Sequence, residues 1–78
     1  MQQWEYMFIG IAFTEQESTD YWKVKHVNGR EVQDWKKKVP AHSYVDSLGQ
    51  QGWELVGVVP RNTNSHNNPI LIFKRPKA

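Results

Sequence analysis

The 78-residue chain contains no cysteine, so disulfides and thiolate metal sites are excluded. Those are two of the usual means by which so small a domain is stabilised, and association with another chain is the one left. A single domain of this length, residues 1–78, buries roughly 60% of the surface its unfolded chain would expose, so its core must be thin. Long hydrophobic runs are lacking as well. The longest, Met7 to Phe13, is interrupted by Gly10 and Ala12, follows Glu5 rather than a basic stretch, and is far too short to span a bilayer. With no signal-peptide or anchor pattern, the expectation is a soluble cytoplasmic protein without a membrane partner. No nucleophile motif, glycine-rich phosphate loop or paired carboxylates occur, so neither catalysis nor a cofactor or metal is expected.

Charge is also modest: the formal net charge is +2 and the isoelectric point near 9.0, well short of a dedicated nucleic-acid binder. Its distribution is uneven. Residues 1–20 carry Glu5, Glu15, Glu17 and Asp20 with no lysine or arginine, whereas residues 21–38 carry Lys23, Lys25, Arg30, Lys36, Lys37 and Lys38 against Glu31 and Asp34. Exposed pairs between such segments are worth only ~0 to 1 kcal/mol each, so two solvated faces are the plainer expectation.

Aromatic and β-branched residues from Trp4 to Phe13 predict a strand. Its two faces, Trp4, Tyr6, Phe8, Gly10, Ala12 and Glu5, Met7, Ile9, Ile11, Phe13, are both mainly apolar, which predicts a central strand covered on both sides. After the polar, turn-rich Thr14–Asp20, the sequence Trp22-Lys23-Val24-Lys25-His26-Val27 alternates apolar with basic, as a half-exposed strand does. Asn28-Gly29 is the preferred pair for a type I′ hairpin, so Arg30 to Trp35 should return antiparallel.

Pro40 suits the first position of a helix, and Ser43 with Asp46 offers a second possible start. Ala41, Tyr44, Val45 and Leu48 fall at i, i+3, i+4 and i+7, one apolar stripe, with His42, Ser43, Asp46, Ser47 and Gln50 facing away. Gly49 inside this helix costs about 1 kcal/mol relative to alanine, which predicts close packing against a large neighbour such as Trp53. Gly52 supplies the positive φ that stops the helix. Trp53 to Pro60 then forms a strand with Trp53, Leu55, Gly57, Val59 on one face and Glu54, Val56, Val58 on the other. Arg61 to Pro69 reads as a polar hairpin tip without a core residue, and Ile70 to Phe73 as the last strand, with Pro76 ending the ladder.

The start Trp4-Glu5-Tyr6, the central Leu48-Gly49, Gly52-Trp53-Glu54-Leu55-Val56 and the end Ile72-Phe73-Lys74-Arg75-Pro76 occur in an order that resembles the small bacterial and phage family called domain of unknown function 4177. The resemblance spans almost the whole chain and implies a compact sheet-plus-helix domain, with no activity, cofactor or catalytic residue to carry over. The segment around Tyr21 to Lys38 departs from shorter members of that family and predicts an extra hairpin.

The fold expected is therefore α+β: a small antiparallel sheet of about five strands, in the order β-β-β-α-β-β, with one helix on one face. One helix cannot cover both sides of a sheet whose strands are apolar on both, so a homo-oligomer of a non-catalytic interaction module is expected. The alternative is a small single-stranded nucleic-acid-binding protein. It would stack bases on Trp4 and Tyr6, continued by Phe8, and take phosphate contacts from Lys23, Lys25, Lys36, Lys37 and Lys38. His42 and Asp46, at i and i+4 on the helix, have chelating spacing but no third ligand at a recognisable distance.

Overall fold

In the computed structural model, which describes residues 1–13, 22–60, 62–63 and 66–78, one helix packs on a five-stranded antiparallel sheet. The strands are β1 (Trp4–Phe13), β2 (Trp22–Val27), β3 (Arg30–Glu31), β4 (Glu54–Val59) and, after the two-residue strands β5 (Asn62–Thr63) and β6 (His66–Asn67), β7 (Ile70–Pro76). The helix α1 spans Ala41–Gln50. The spatial order is β3-β2-β1-β7-β4, with β5 and β6 forming a separate ladder. The expected α+β class, the five-stranded sheet and the central place of the first strand are all observed. The stretch 14–21 lies outside the described residues, as do positions 61, 64 and 65 of the tip at 61–69, where Asn62–Thr63 and His66–Asn67 pair as a short antiparallel ladder.

Asn28 (φ 51) and Gly29 (φ 84) both adopt the left-handed conformation that the type I′ turn requires. Asn28 also clamps the turn to the central strand, its Oδ1 accepting from the Phe8 N–H at 2.9 Å and its N–H donating to the Phe8 carbonyl at 2.7 Å. The returning strand is shorter than expected. Only Arg30 and Glu31 pair in it, Val32 donates one more bond to the Lys25 carbonyl, and the chain then turns at Asp34 (φ 55) into a 3-10 turn over Trp35–Lys37.

Pro40 is the residue just before the helix rather than its first, and Ser43 lies inside the first turn. The predicted stripe is the packed one. Ala41 and Leu48 are buried, and Tyr44 and Val45 pack against the cluster of Ile9, Ile11, Val24 and Phe73. At the other end the Trp53 N–H donates to the Leu48 carbonyl and the Gly52 N–H to the Gly49 carbonyl, both at 3.0 Å, while Gly52 holds φ 91. This double closure satisfies carbonyls the helix would leave open, and Trp53 packs on the core beside Leu48. Gly49 is not explained by close packing, since a Cβ there would meet nothing within 4 Å. Gly52→Val is expected to destabilise by more than ~1 kcal/mol, because a β-branched residue is strained at positive φ. A thermal melt unchanged by the substitution would show that the closure tolerates a side chain.

The helix covers the sheet face of β1 that carries Met7, Ile9 and Ile11. The opposite face is bare, which corrects the expectation that β1 is covered on both sides: Trp4, Tyr6 and Phe8 are exposed. Strands lie about 4.8 Å apart and a helix is about 10 Å across, so one helix shelters two or three strands and cannot reach all five. The strands left out are the two edges, β3 and β4.

Candidate functional site

The bare face is built by register. Phe8 stands opposite Ile72, Tyr6 opposite Lys74 and Trp4 opposite Pro76 across β1 and β7, while Glu54, Gly57 and Val59 of β4 stand opposite Lys74, Ile72 and Ile70. Residues directly opposite in a ladder share a face. An aromatic row on β1 therefore lies beside Ile70 and Ile72 and ends on the edge strand. The Lys74 Nζ lies 4.1 Å from the centre of the Trp4 ring, a cation–π contact at one end of the row.

Strict alternation along β4 does not hold. The register slips between Leu55 and Gly57, so Val56 is an inserted bulge residue. Leu55 and Val58, predicted on opposite faces, both pair on the helix side, opposite Phe73 and Leu71; Glu54, Gly57 and Val59 share the bare side. Leu55 and Val58 are nonetheless exposed, because the helix does not extend over β4. A second slip, at Lys25 of β2, lets Val24 and Val27 both face the core beside Ile11 and Ile9.

The lysines expected to flank the aromatic row go elsewhere. Lys23 is buried, and its ammonium donates to the Lys38 carbonyl at 2.6 Å, next to a Lys23–Pro40 bridge that ties the approach to α1 onto β2. Apolar–basic alternation predicted that side chain in solvent; the chain ahead of the helix covers it instead. Lys25 and Lys36 each approach the Trp35 ring, at 5.4 and 5.5 Å, and Lys25 also lies 4.0 Å from Glu31. Lys37 and Lys38 are exposed. Of the candidate nucleic-acid residues, Trp4 and Tyr6 come together on the bare face and Lys25 lines the cleft at its Phe8 end, while the lysine in cation–π contact with the row is Lys74, which motif reading did not single out. Its signal lay in the β1–β7 pairing, which no local pattern specifies.

A cleft of about 250 Å³ opens at the end of the aromatic row, lined among others by Phe8, Gly10, Ala12, His26, Asn68 and Ile70. His26 stands directly opposite Gly10, where a Cβ would meet the His26 Cβ at 3.2 Å. A side chain there would crowd the imidazole, so the glycine keeps the cleft floor low. His42 and Asp46 are exposed on the helix, and no group of three His, Cys, Asp or Glu residues capable of holding a metal occurs among the described residues. Nor is any helix among them long and apolar enough to cross a membrane.

Comparison with known proteins gave no match to a family model, to a curated protein or to a solved structure.

Proposed function

We propose that the chain is a non-catalytic, self-associating interaction module whose uncovered apolar sheet face, across β1, β7 and β4, is completed by a second copy. The observation that carries this is the exposure of large apolar side chains on that one face, which a thin core cannot spare: Trp4 40%, Tyr6 54%, Phe8 47% and Val59 44% exposed. Within the described residues no element of the protomer shields these side chains. Burial against an identical surface removes that exposure without disulfide or metal, for which the sequence has no provision.

Sedimentation at micromolar concentration is expected to show a dimer or larger species; a clean monomer would refute the proposal. The alternative draws its support from the exposed row Trp4, Tyr6, Phe8 with Lys74 beside it, an arrangement on which bases can stack. Fluorescence anisotropy with labelled single strands separates the two. Binding is expected to be weak and to fall steeply as salt rises from ~50 to ~200 mM. Tight binding at physiological salt, lost in a folded Trp4→Ala variant, would put nucleic acid first.

A further inference from the structure

We infer that the cleft beyond Phe8 is a binding site for a small aromatic carboxylate, its ring lying on the Gly10 floor and its carboxyl group received by Lys25 and His26. The site uses the residues of one chain, so it stands or falls apart from the self-association proposed above.

The cleft is built into the sheet itself. Along the bare side of β1 the residues run Trp4, Tyr6, Phe8, Gly10, Ala12, so a ridge of rings drops to backbone and then to a methyl group. Across the strands Gly10 stands between His26 of β2 and Ile70 of β7. The hollow therefore has a backbone floor, a phenyl ring at one end, a polar flank and an apolar flank. Asn68, just ahead of β7, also lines it, and the Ile11 N–H holds that approach to β1 by donating to the Pro69 carbonyl at 3.0 Å. Glycine weakens a strand and marks a place where something comes close. Here a Cβ would stand 3.2 Å from the His26 Cβ, so any side chain would both crowd the imidazole and fill the hollow.

A second local device supplies the charge. The β1–β2 register slips between Gly10 and Ile11, which leaves Lys25 as the extra residue. A bulge re-aims the side chains beside it. Strict alternation would put Lys25 and His26 on opposite faces of the sheet, yet both line the cleft, and no aspartate or glutamate lines it among the described residues. The Lys25 ammonium is not committed elsewhere. It lies 4.0 Å from the Glu31 carboxylate, beyond hydrogen-bond reach, with the two side chains 35% and 62% exposed. A surface pair of that length is weak, and the Trp35 ring 5.4 Å away attracts the cation without cancelling its charge.

Size and lining select the ligand. The cleft holds about 250 Å³, whereas an apolar cavity of about 150 Å³ admits benzene, so a ring with a carboxyl arm fits. Acetate or inorganic phosphate alone would leave Phe8, Ile70 and Ala12 wet. A ring on the glycine floor meets the Phe8 ring in a favourable aromatic contact. Its carboxylate then turns toward β2, where an ammonium and an imidazole N–H can donate to it. An apolar pocket with a few convergent polar groups is the usual form of a small-molecule site.

Benzoate is the probe. Titrated into the isotope-labelled full chain and followed by amide chemical shifts, it is expected to saturate with a Kd of about 1 mM or tighter. The shifts should concentrate at Gly10, Lys25, His26 and Ile70. Benzamide, which keeps the ring without the charge, and acetate, which keeps the charge without the ring, are each expected to bind at least about fivefold more weakly. Lys25→Gln, at a half-buried position outside the core, is expected to weaken benzoate about threefold or more while leaving the rest of the amide spectrum in place. Gly10→Ala is expected to abolish binding, and the lysine variant keeps the test decisive if that chain does not fold. No saturable shift up to about 20 mM benzoate would overturn the inference. So would benzamide or acetate binding as tightly as benzoate, shifts centred on Trp4 and Tyr6 instead, or unchanged affinity in a folded Lys25→Gln chain.

Discussion

Replacing Phe73 by alanine is expected to remove about 3–5 kcal/mol of stability, a large share of what so small a domain has. Phe73 is only 2% exposed and, with Ile9, is one of the two largest fully buried side chains. It lies on β7 with Met7 of β1 on one flank and Leu55 of β4 on the other, and it belongs to the cluster that Leu48 of the helix seals. No neighbour can relax into the space a deleted ring would leave, because strands hold both flanks and a helix the top, and a cavity that cannot collapse lies at the costly end of the range. A domain of this length has roughly 4–12 kcal/mol in total. Phe73→Leu, which keeps most of the volume, is expected to lose less than half as much. Urea titration followed by tryptophan fluorescence measures both. A loss below about 1 kcal/mol for the alanine variant would mean the core is held elsewhere.

What was legible in the sequence was local. Asn28-Gly29 specifies its turn because few residue pairs accept two consecutive positive φ values, and Gly52 specifies the helix end for the same reason. The stripe Ala41, Tyr44, Val45, Leu48 identifies the helix face because a single period separates buried from exposed positions along it. Trp4 to Phe13 announces a central strand, since both of its faces are apolar.

What failed was alternation where a residue is inserted. The bulge at Val56 moves Val58 to the face of Leu55, and nothing in Glu-Leu-Val-Gly-Val-Val marks where the extra residue sits, because every position but one is apolar or glycine. The hairpin's second strand stops after Glu31 for another reason, that Asp34 turns the chain back by a left-handed conformation few sequences advertise. For the candidate site, the aromatic row was visible as Trp4, Tyr6, Phe8, but its neighbours Lys74, Ile72 and Val59 come from pairing over some sixty residues of chain. Lys23 was misplaced because alternation gives the face of a side chain and not what later folds across it.

Arg75→Ala is expected to cost about 2 kcal/mol, more than a surface arginine usually contributes, because three separate interactions meet on one guanidinium. Its Nε donates to the Glu5 carboxylate, its cross-strand neighbour on the helix side of the sheet. Its Nη1 donates to the Gln51 carbonyl at 3.1 Å, and its Cζ lies 4.3 Å from the centre of the Trp53 ring. The half-exposed ion pair supplies ~0.2–1 kcal/mol, and the cation at a helix C-terminus another ~0.3–1 kcal/mol. Stacking on an indole adds ~0.5–1 kcal/mol, more where water is excluded. Together they bind the end of α1, the closure at Gly52 and the start of β4 to the β1–β7 pair, so loss of Arg75 loosens the one junction through which the chain enters the edge strand. A domain of 60–100 residues loses roughly 4–8 °C in melting temperature per kcal/mol, which puts the expected drop near 10 °C. Arg75→Lys is expected to recover less than half of it, since an ammonium cannot stack flat on Trp53 while donating to both Glu5 and Gln51. Thermal melts of the two variants, followed by far-ultraviolet circular dichroism, decide the matter: an alanine variant that melts within about 2 °C of the parent chain would show that nothing is held there, and a lysine variant that restores it fully would show that charge alone is.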